Sequence, residues 1–321
     1  MAQNFSNDVE AADALKQAYQ KLKNEIAKVV VGQDDVVKLV LTGIFCQGHS
    51  LLVGVPGLAK TLLVQTIATS LDLQFKRIQF TPDLMPSDIV GAETMDKERN
   101  FQFVKGPIFA NIILADEINR TPPKTQAALL ESMQEYAVTI AGNQYKLPRP
   151  FFVLATQNPI EQEGTYPLPE AQLDRFMFNI FLDYPSYQQE VDIVKNTTAD
   201  DVLKVSKVLT ADEIVSFQHL VRRVPIADNV VEYAVKLSQA TRPGPNGSAL
   251  ANEFLEWGAG PRASQYLVLG AKCNALINGK YSPDIEDVQA VARPVLRHRI
   301  VRNFKAEAEG MTVDNLIGKL I

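Results

Sequence analysis

The pattern of apolar and polar residues divides the chain into two regions of different character. Up to about residue 185, short apolar runs bounded by loop residues alternate with amphipathic stretches, as in folds that alternate strands and helices. Strands are predicted at residues 50–53, 74–80, 111–117, 151–155 and 177–182. After residue 185 the apolar residues recur at helical spacing. We therefore expect an α/β domain followed by a helical one.

Helices are predicted where apolar residues return every three or four positions. The predicted helices are residues 8–29, 35–46, 61–70, 125–135, 170–176, 214–221, 230–240, 263–277 and 285–295. We expect residues 1–205 to form the α/β core, a parallel sheet flanked by helices, and residues 206–321 to form a smaller, all-helical domain. The capping-box pair Thr210 and Glu213 marks the first helix of that second domain.

Two segments of the core are predicted to form hairpins. Residues 91–106 interrupt the alternation of strands and helices, so we interpret them as an insertion. Residues 138–146 surround the turn-forming cluster Ala141-Gly142-Asn143. Inserted loops on a rigid α/β scaffold often contact partners.

A glycine-containing loop follows the first predicted strand and leads into a helix. Its residues are Gly54, Val55, Pro56, Gly57, Leu58, Ala59, Lys60 and Thr61. This context is that of a P-loop, in which backbone N–H groups and the positive end of the helix dipole surround the phosphates of a nucleotide. Lys60 would reach the β- and γ-phosphates, and the Thr61 hydroxyl would bind Mg²⁺. The alternative is an ordinary corner between a strand and a helix.

One residue of this loop departs from the usual GxxxxGK[ST] pattern. Ala59 stands where the pattern has glycine. A methyl group is tolerated there if the backbone φ is negative, whereas a left-handed conformation would disfavour it. We therefore expect a negative φ at Ala59.

Two adjacent acids end the apolar run at residues 111–117. Because ligands of open α/β sheets bind at the carboxyl ends of the strands, Asp116 and Glu117 are expected beside the P-loop. Asp116 would hold Mg²⁺ through water, and Glu117 would orient or deprotonate the attacking water. Asn158 follows the next apolar run and could bond the γ-phosphate or that water; its alternative role is an Asx turn into Pro159.

The segment before the second predicted helix is a further candidate for nucleotide contact. In P-loop ATPases such a loop, here Val31 and Gly32, often packs against the adenine. A plain turn between two helices explains the spacing equally well.

Composition narrows the class of protein without naming a function. The chain has 321 residues and a net charge of −5, so no overall basic field favours nucleic acid or an anionic membrane. Its two cysteines, Cys46 and Cys273, are far apart in sequence and suit a reducing compartment. Three histidines show no metal-ligand spacing, and no apolar run reaches transmembrane length. We expect a cytoplasmic protein.

Four motifs together resemble the AAA+ ATPases, and specifically the bacterial MoxR family. They are residues 54–61, 114–120, 155–159 and 169–176. The resemblance extends from Val30 through the C-terminal helices. It implies binding of ATP and Mg²⁺, assembly into a ring that is commonly a hexamer, and a chaperone-like role in maturing client complexes. It also implies partners with von Willebrand factor A domains.

The resemblance assigns roles to two arginines and to both hairpins. Arg175 matches an arginine finger and Arg262 the second sensor on the lid, while Asn158 matches the first sensor. Residues 91–106 match the helix-2 insertion of this clade, and residues 138–146 the hairpin before the first sensor. From the residues alone, an ion pair of Arg175 with Asp174 or Glu170 is an equal alternative.

Three functions remain open at this point. The first is Mg²⁺-dependent ATP hydrolysis that remodels a protein partner, and the second is a nucleotide-gated scaffold with slow hydrolysis. The third is a nucleic-acid motor, against which the acidic balance speaks. The basic residues between Arg293 and Arg302 lack aromatic neighbours for base stacking, so we expect them to form a solvated or interdomain face.

Overall fold

The computed structural model of the chain describes most of the sequence. The described residues are 7–95, 97, 100–160, 164–198, 204–245 and 247–321. Three residues of the predicted insertion (96, 98 and 99) therefore lie outside the described residues. The predicted domain boundary at residues 205/206 follows another such gap and stays a prediction.

The strands lie where the apolar runs predict them, with short hairpins in addition. They are β1 (Ser50–Val53), β2 (Phe75–Gln79), β3 (Gly91–Met95), β4 (Phe101–Lys105), β5 (Ile112–Asp116), β6 (Ala137–Ile140), β7 (Asn143–Lys146), β8 (Phe152–Gln157), β9 (Phe178–Phe181), β10 (Leu255–Trp257) and β11 (Val301–Arg302).

The helices confirm the predicted set, although the one predicted at residues 170–176 spans only Glu170–Leu173, and others are added, of which the longest has 12 residues. They are α1 (Asp8–Ala27), α2 (Asp34–Phe45), α3 (Lys60–Ser70), α4 (Pro86–Val90), α5 (Pro123–Glu135), α6 (Glu170–Leu173), α7 (Tyr187–Thr198), α8 (Ala211–Arg223), α9 (Asp228–Ala240), α10 (Ala249–Phe254), α11 (Pro261–Ile277), α12 (Ile285–Leu296), α13 (Phe304–Ala308) and α14 (Val313–Leu320).

Five strands form one parallel sheet in the order β2-β5-β8-β1-β9. Strand β5 is buried along its whole length and β8 along all but its last residue, because helices cover both faces of the sheet. Continuous apolar runs rather than alternating ones are therefore the correct signal for these strands. The order brings the carboxyl ends of β1, β8 and β5 side by side.

The two predicted hairpins are present, and they contact each other. Strands β3 and β4 pair antiparallel, as do β6 and β7. The ring of Phe103 on β4 lies 4.2 Å from the ring of Tyr145 on β7, measured between centroids. This aromatic contact joins the insertion to the second hairpin.

The C-terminal part is helical, as predicted, with one addition. Helix α11 packs against α12, α9 and α8 around a shared apolar core. Strands β10 and β11 pair antiparallel within it; they are too short to give a periodic signal in the sequence. Thr210 and Glu213 form the capping box predicted at the start of α8. None of the helices in the described ranges is both long and apolar enough to cross a membrane.

Candidate functional site

The P-loop, the acid pair and the predicted sensor residue line one cavity of about 350 Å³ at the carboxyl edge of the sheet. Its lining residues are Pro56, Gly57, Leu58, Ala59, Lys60, Thr61, Asp116, Glu117 and Asn158. Parallel pairing of β1, β8 and β5 brings these segments together, although about 100 residues separate the loop from Asn158. The remaining predicted site residues lie elsewhere.

The loop between β1 and α3 reaches its turn through left-handed backbone. Gly57 has φ +87°, and a Cβ added there would meet no atom of the described residues within 4 Å, so conformation rather than space favours glycine. Ala59 has φ +53° and ψ +30°. The expectation of a negative φ at Ala59 is therefore wrong: the turn into α3 needs a left-handed residue, at a cost of about 1 kcal/mol for alanine. Such strain is common where a loop is shaped for a ligand.

Lys60 and Thr61 open helix α3 and line the cavity, so the N-terminus of this helix lies beside it. No acidic residue lies in the first turn of α3. The Lys60 ammonium donates a hydrogen bond to the Gly54 carbonyl at 2.7 Å. A cation and a helix N-terminus at the same place give this end of the cavity a positive potential suited to phosphate.

The acid pair is held by a buried threonine of the neighbouring strand. The Thr156 hydroxyl donates to Asp116 Oδ1 at 2.6 Å and accepts from the Glu117 backbone N–H at 2.9 Å. Glu117 has φ +56°, which turns its side chain off the end of β5. One hydroxyl thus fixes both acids at the cavity.

Strand β2 supplies further partners to both acids. Arg77 donates to Asp116 Oδ2 through Nη2 at 2.6 Å and through Nε at 3.0 Å. Gln79 donates to Glu117 Oε2 at 2.9 Å, and Arg120 pairs with the same oxygen at 2.9 Å. Arg77 also donates to the Gln79 side chain, so the five groups form a continuous polar network.

Asn158 forms its predicted Asx turn, and its role toward the γ-phosphate or the attacking water stays a prediction. Its Oδ1 accepts a hydrogen bond from the Ile160 N–H at 3.2 Å, which is the Asx turn, and the residue also lines the cavity. The amide nitrogen of Asn158 can therefore donate into the cavity while the oxygen holds the loop.

Arg175 and Arg262 line a different cavity, of about 280 Å³, together with Tyr136 and Tyr266. No lining residue is shared with the P-loop cavity. Arg262 pairs with Asp174 at 2.9 Å. Within the described residues Arg175 forms no ion pair with Asp174 or Glu170, which were its predicted intrachain alternatives.

Val31 and Gly32 are also outside the P-loop cavity. They lie in the turn between α1 and α2, and Gly32 has φ +74°. A Cβ at Gly32 would lie 2.5 Å from the Gln189 side chain of α7, so this turn packs closely against that helix. Gly54 and Val55 lie at the end of β1, just before the lining residues.

The basic stretch near the C-terminus contacts the α/β core. Arg299, 6% exposed, donates to Asp174 Oδ1 at 2.8 Å and to the carbonyls of Asp174 and Phe176. Arg297 pairs with Asp314 at 2.7 Å and donates to the Asn179 carbonyl of β9. Arg297 and Arg299 therefore join the helical part of the chain to the core, as expected of an interdomain face.

A larger cavity in the described chain is not the candidate site. It measures about 660 Å³ and lies between α6 and β10, with Glu170, Asp174 and Glu256 in its lining. Within the described residues that cavity lacks a helix N-terminus with a lysine beside it, whereas the smaller cavity combines the two and so suits phosphate. The P-loop cavity is therefore the candidate site because of its lining residues, although its volume is smaller.

Sequence reasoning did not identify Arg77, Gln79 or Thr156. Arg77 and Gln79 are two positions apart on a predicted strand, so they share one face, and that polar pair was the available signal. The strand order that brings them beside the acids cannot be read from local pattern.

The fold and the site define an AAA ATPase core with a helical lid. A family model described as "ATPase family associated with various cellular activities (AAA)" matches residues 49–178, and one described as "AAA lid domain" matches residues 247–320. The chain belongs to the MoxR family of these ATPases, as two relatives with that name show.

The chaperone MoxR1 of Mycobacterium tuberculosis is 42% identical over 92% of this chain and 79% of its own length. The uncharacterised protein YeaC of Bacillus subtilis is 40% identical, over 94% and 92% of the two chains. The protein MoxR of Methylorubrum extorquens is 30% identical over 92% of each chain. A crystal structure of a candidate ATPase from Cytophaga hutchinsonii superposes with a TM-score of 0.90 at 43% identity, covering 97% of this chain and 95% of that one.

Proposed function

We propose that the chain hydrolyses ATP with Mg²⁺ and uses the cycle to remodel a protein partner. The observation that carries this proposal is the single cavity in which Lys60, Asp116 and Glu117 meet. A cation for the phosphates, an acid for a metal and a second acid for the attacking water are the parts that phosphoryl transfer to water requires.

Each residue of the site has a proposed role. Lys60 and the backbone N–H groups of residues 54–61 bind the β- and γ-phosphates. Glu117 orients the attacking water and accepts its proton, and Asn158 donates to that water or to the γ-phosphate. Val31 and Gly32 contact the adenine.

The donor set suits Mg²⁺ when a nucleotide is bound. Thr61 and Asp116 offer a hydroxyl and a carboxylate oxygen at one cavity, and hard oxygen ligands are what Mg²⁺ prefers. Within the described residues no cluster of three or more His, Cys, Asp or Glu could hold a metal alone. Phosphate oxygens and water would therefore complete the shell. The ion neutralises the charge that develops on the phosphoryl group.

We further propose a ring in which Arg175 serves the nucleotide of a neighbouring subunit, while Arg262 couples the lid to the γ-phosphate. Arg175 lines a cavity that shares no residue with the P-loop cavity, which supports action on another chain rather than on its own. A finger in trans stabilises transition-state charge and can contribute about 10³–10⁵ in rate. A hexamer is the expected ring.

Complementation between two inactive variants tests the ring. Lys60→Ala lacks nucleotide binding but keeps Arg175, whereas Arg175→Ala keeps the P-loop but lacks the finger. A mixed assembly contains interfaces with an intact site and an intact finger, so the mixture should hydrolyse ATP faster than either variant. A mixture no more active than its components would contradict action in trans. Light scattering with ADP and with ATP measures the size of the assembly.

A slow, nucleotide-gated scaffold is the second candidate function. It is favoured by the bonds from Gln79 and Arg120 that hold one carboxylate oxygen of Glu117. Steady-state hydrolysis with and without the partner separates the two functions, since a scaffold stays slow in both. We also propose that the client complex includes a protein with a von Willebrand factor A domain and that the chain is cytoplasmic. Capture with Glu117→Gln in the presence of ATP would identify the client.

The nucleotide site itself is tested by binding of a fluorescent ATP analogue. Wild type and Glu117→Gln should bind it, because Glu117 is assigned to the attacking water and not to affinity. Lys60→Ala should lose binding. Equal affinity of Lys60→Ala and wild type would contradict the assignment of the P-loop.

A further inference from the structure

The Arg77 guanidinium pairs with the Asp116 carboxylate, which is also the group proposed to hold the metal ion. Two nitrogens of the guanidinium donate to Oδ2 of Asp116, at 2.6 and 3.0 Å. The other carboxylate oxygen accepts from the buried Thr156 hydroxyl at 2.6 Å. Asp116 therefore has a charged partner on one oxygen and a neutral, fixed partner on the other.

The two contacts differ in how easily they can be broken. Thr156 is fully buried, and its hydroxyl also accepts the Glu117 N–H, so this contact is part of the frame of the site. The Arg77 side chain is 47% exposed and lies on β2, which is an edge strand. A long, half-exposed side chain can move into solvent at little cost, because partly exposed ion pairs contribute little to stability.

The position of Arg77 conflicts with a metal on the same oxygen. Two cations that share one carboxylate oxygen, one of them through a water, lie close together and repel each other, and that repulsion is strong where water is scarce. Asp116 itself is only 12% exposed. Metal binding at Oδ2 therefore requires the guanidinium to leave or to retreat to a more distant contact.

We infer that Arg77 is a displaceable counter-charge for Asp116, which pairs with the carboxylate and sets how much divalent metal the nucleotide complex needs. This inference rests on the proposed function of the site. Arg77 is a positioning residue: it acts through Asp116 and not on the nucleotide. Arg77 also donates to the Gln79 side chain, which in turn donates to Glu117. When Arg77 leaves, Gln79 loses this partner and can release Glu117. Metal entry is thereby linked to release of the proposed water-orienting acid.

The test is binding of Mn²⁺, a spectroscopic substitute for Mg²⁺, to the full chain with saturating ADP, measured by electron paramagnetic resonance. Removing a competing contact of this kind should tighten Mn²⁺ binding about three- to tenfold in Arg77→Gln. Arg77→Lys keeps the charge but loses the two-nitrogen contact, so it should fall between wild type and Arg77→Gln.

Lys76→Gln is the matched control. It removes the same charge from the adjacent residue of β2, whose side chain is exposed and points to the other face of the strand. Its Mn²⁺ affinity should stay within about twofold of wild type, since exposed charges at a distance are screened. An equal gain in both glutamine variants would overturn the inference, because the effect would then be general charge.

Two results separate this inference from the function on which it rests. ADP binding in EDTA is measured first for every variant. If wild type binds no ADP, the proposed function fails and the inference fails with it. If ADP binds but Arg77→Gln binds Mn²⁺ as wild type does, or more weakly, the inference alone is overturned; weaker binding would mean that Arg77 orients Asp116 for the metal.

Discussion

Thr156 and Asp116 are joined by a 2.6 Å hydrogen bond in which the threonine hydroxyl donates to the carboxylate. The same hydroxyl accepts the N–H of Glu117, whose backbone is left-handed. A single fully buried side chain on β8 thus orients two acids at the end of β5. The site is built between strands, and its geometry depends on their parallel pairing.

Thr156→Val should show what the Thr156 hydroxyl contributes to the free energy of unfolding and to the rate of ATP hydrolysis. Valine has the same shape but neither donates nor accepts, so the buried Glu117 N–H loses its partner at a cost of about 1–3 kcal/mol. ATP hydrolysis should fall about tenfold or more as both acids lose their orientation, while nucleotide binding in EDTA persists.

Thr156→Ser is the matched control for this prediction. It keeps the hydroxyl and should retain most of the activity. Urea denaturation and phosphate release measure the two effects. Full activity in Thr156→Val would show that the hydroxyl does not position the acids.

Asp174→Asn should destabilise the junction between the core and the lid. Asp174 is the carboxylate partner of both Arg262 and Arg299, and Arg299 is almost fully buried. Burial lowers the pKa of Arg299 and the nearby carboxylate raises it, so the buried charge depends on its partner. Leaving such a charge without its carboxylate should cost about 3 kcal/mol.

Glu170→Gln tests whether that loss is specific. Glu170 lies on the same helix and lines the same cavity as Asp174. Its replacement should change the free energy of unfolding by less than about 0.5 kcal/mol. Similar losses in both variants would contradict the role of the ion pairs.

The stability of the chain should decrease as pH falls from about 6.5 to 4. Burial lowers the pKa of His49 to about 4, and its Nδ1 accepts the Val153 N–H at 3.0 Å, so a proton on Nδ1 would break that bond. Burial also lowers the pKa of His298. Within this window the unfolded chain binds more protons than the native one. This contribution to stability is therefore present above pH 6.5 and is lost as pH falls. The shift of His49 alone should lower the free energy of unfolding by about 3 kcal/mol.

Replacement of single histidines checks this pH dependence. His49→Gln removes the titrating group and should flatten the dependence of the unfolding free energy on pH. His219→Gln changes an exposed histidine and should leave the dependence as in wild type. Equal slopes for wild type and His49→Gln between pH 4 and 6.5 would contradict the prediction.

Both cysteine thiols should be inert in the native chain. Cys46 donates to the Leu269 carbonyl of α11 and is 3% exposed, and Cys273 is fully buried. Burial and a hydrogen bond with Cys273 raise the pKa of Cys46 well above its usual value, so little thiolate forms. Ellman's reagent should react with both thiols in urea and with neither under native conditions. Rapid reaction of the native protein would contradict this prediction and show that the lid moves away from α2.

The sheet and the P-loop could be predicted because their signals are local. Buried parallel strands are apolar runs, and β1 was predicted residue for residue from 50–53. Asp116 and Glu117 were found because two acids directly follow such a run. Their meeting with Lys60 required only the rule that parallel strands carry their ligands at one edge.

The rest of the site depends on contacts that local pattern does not contain. Arg77 meets Asp116 across 39 positions, and Arg299 meets Asp174 across 125. Strand order decides the first pair and packing of the lid decides the second. Backbone conformation at Ala59 was also missed, because a turn shaped for a ligand can hold alanine in the left-handed region at a small cost.

Steady-state release of phosphate from ATP by wild type and Glu117→Gln, at equal occupancy of the site, tests the central claim most directly. We predict turnover by wild type and a loss of about a hundredfold or more in Glu117→Gln, since removal of a positioned base costs about 10²–10⁴ in rate. Equal rates for the two proteins would contradict the account.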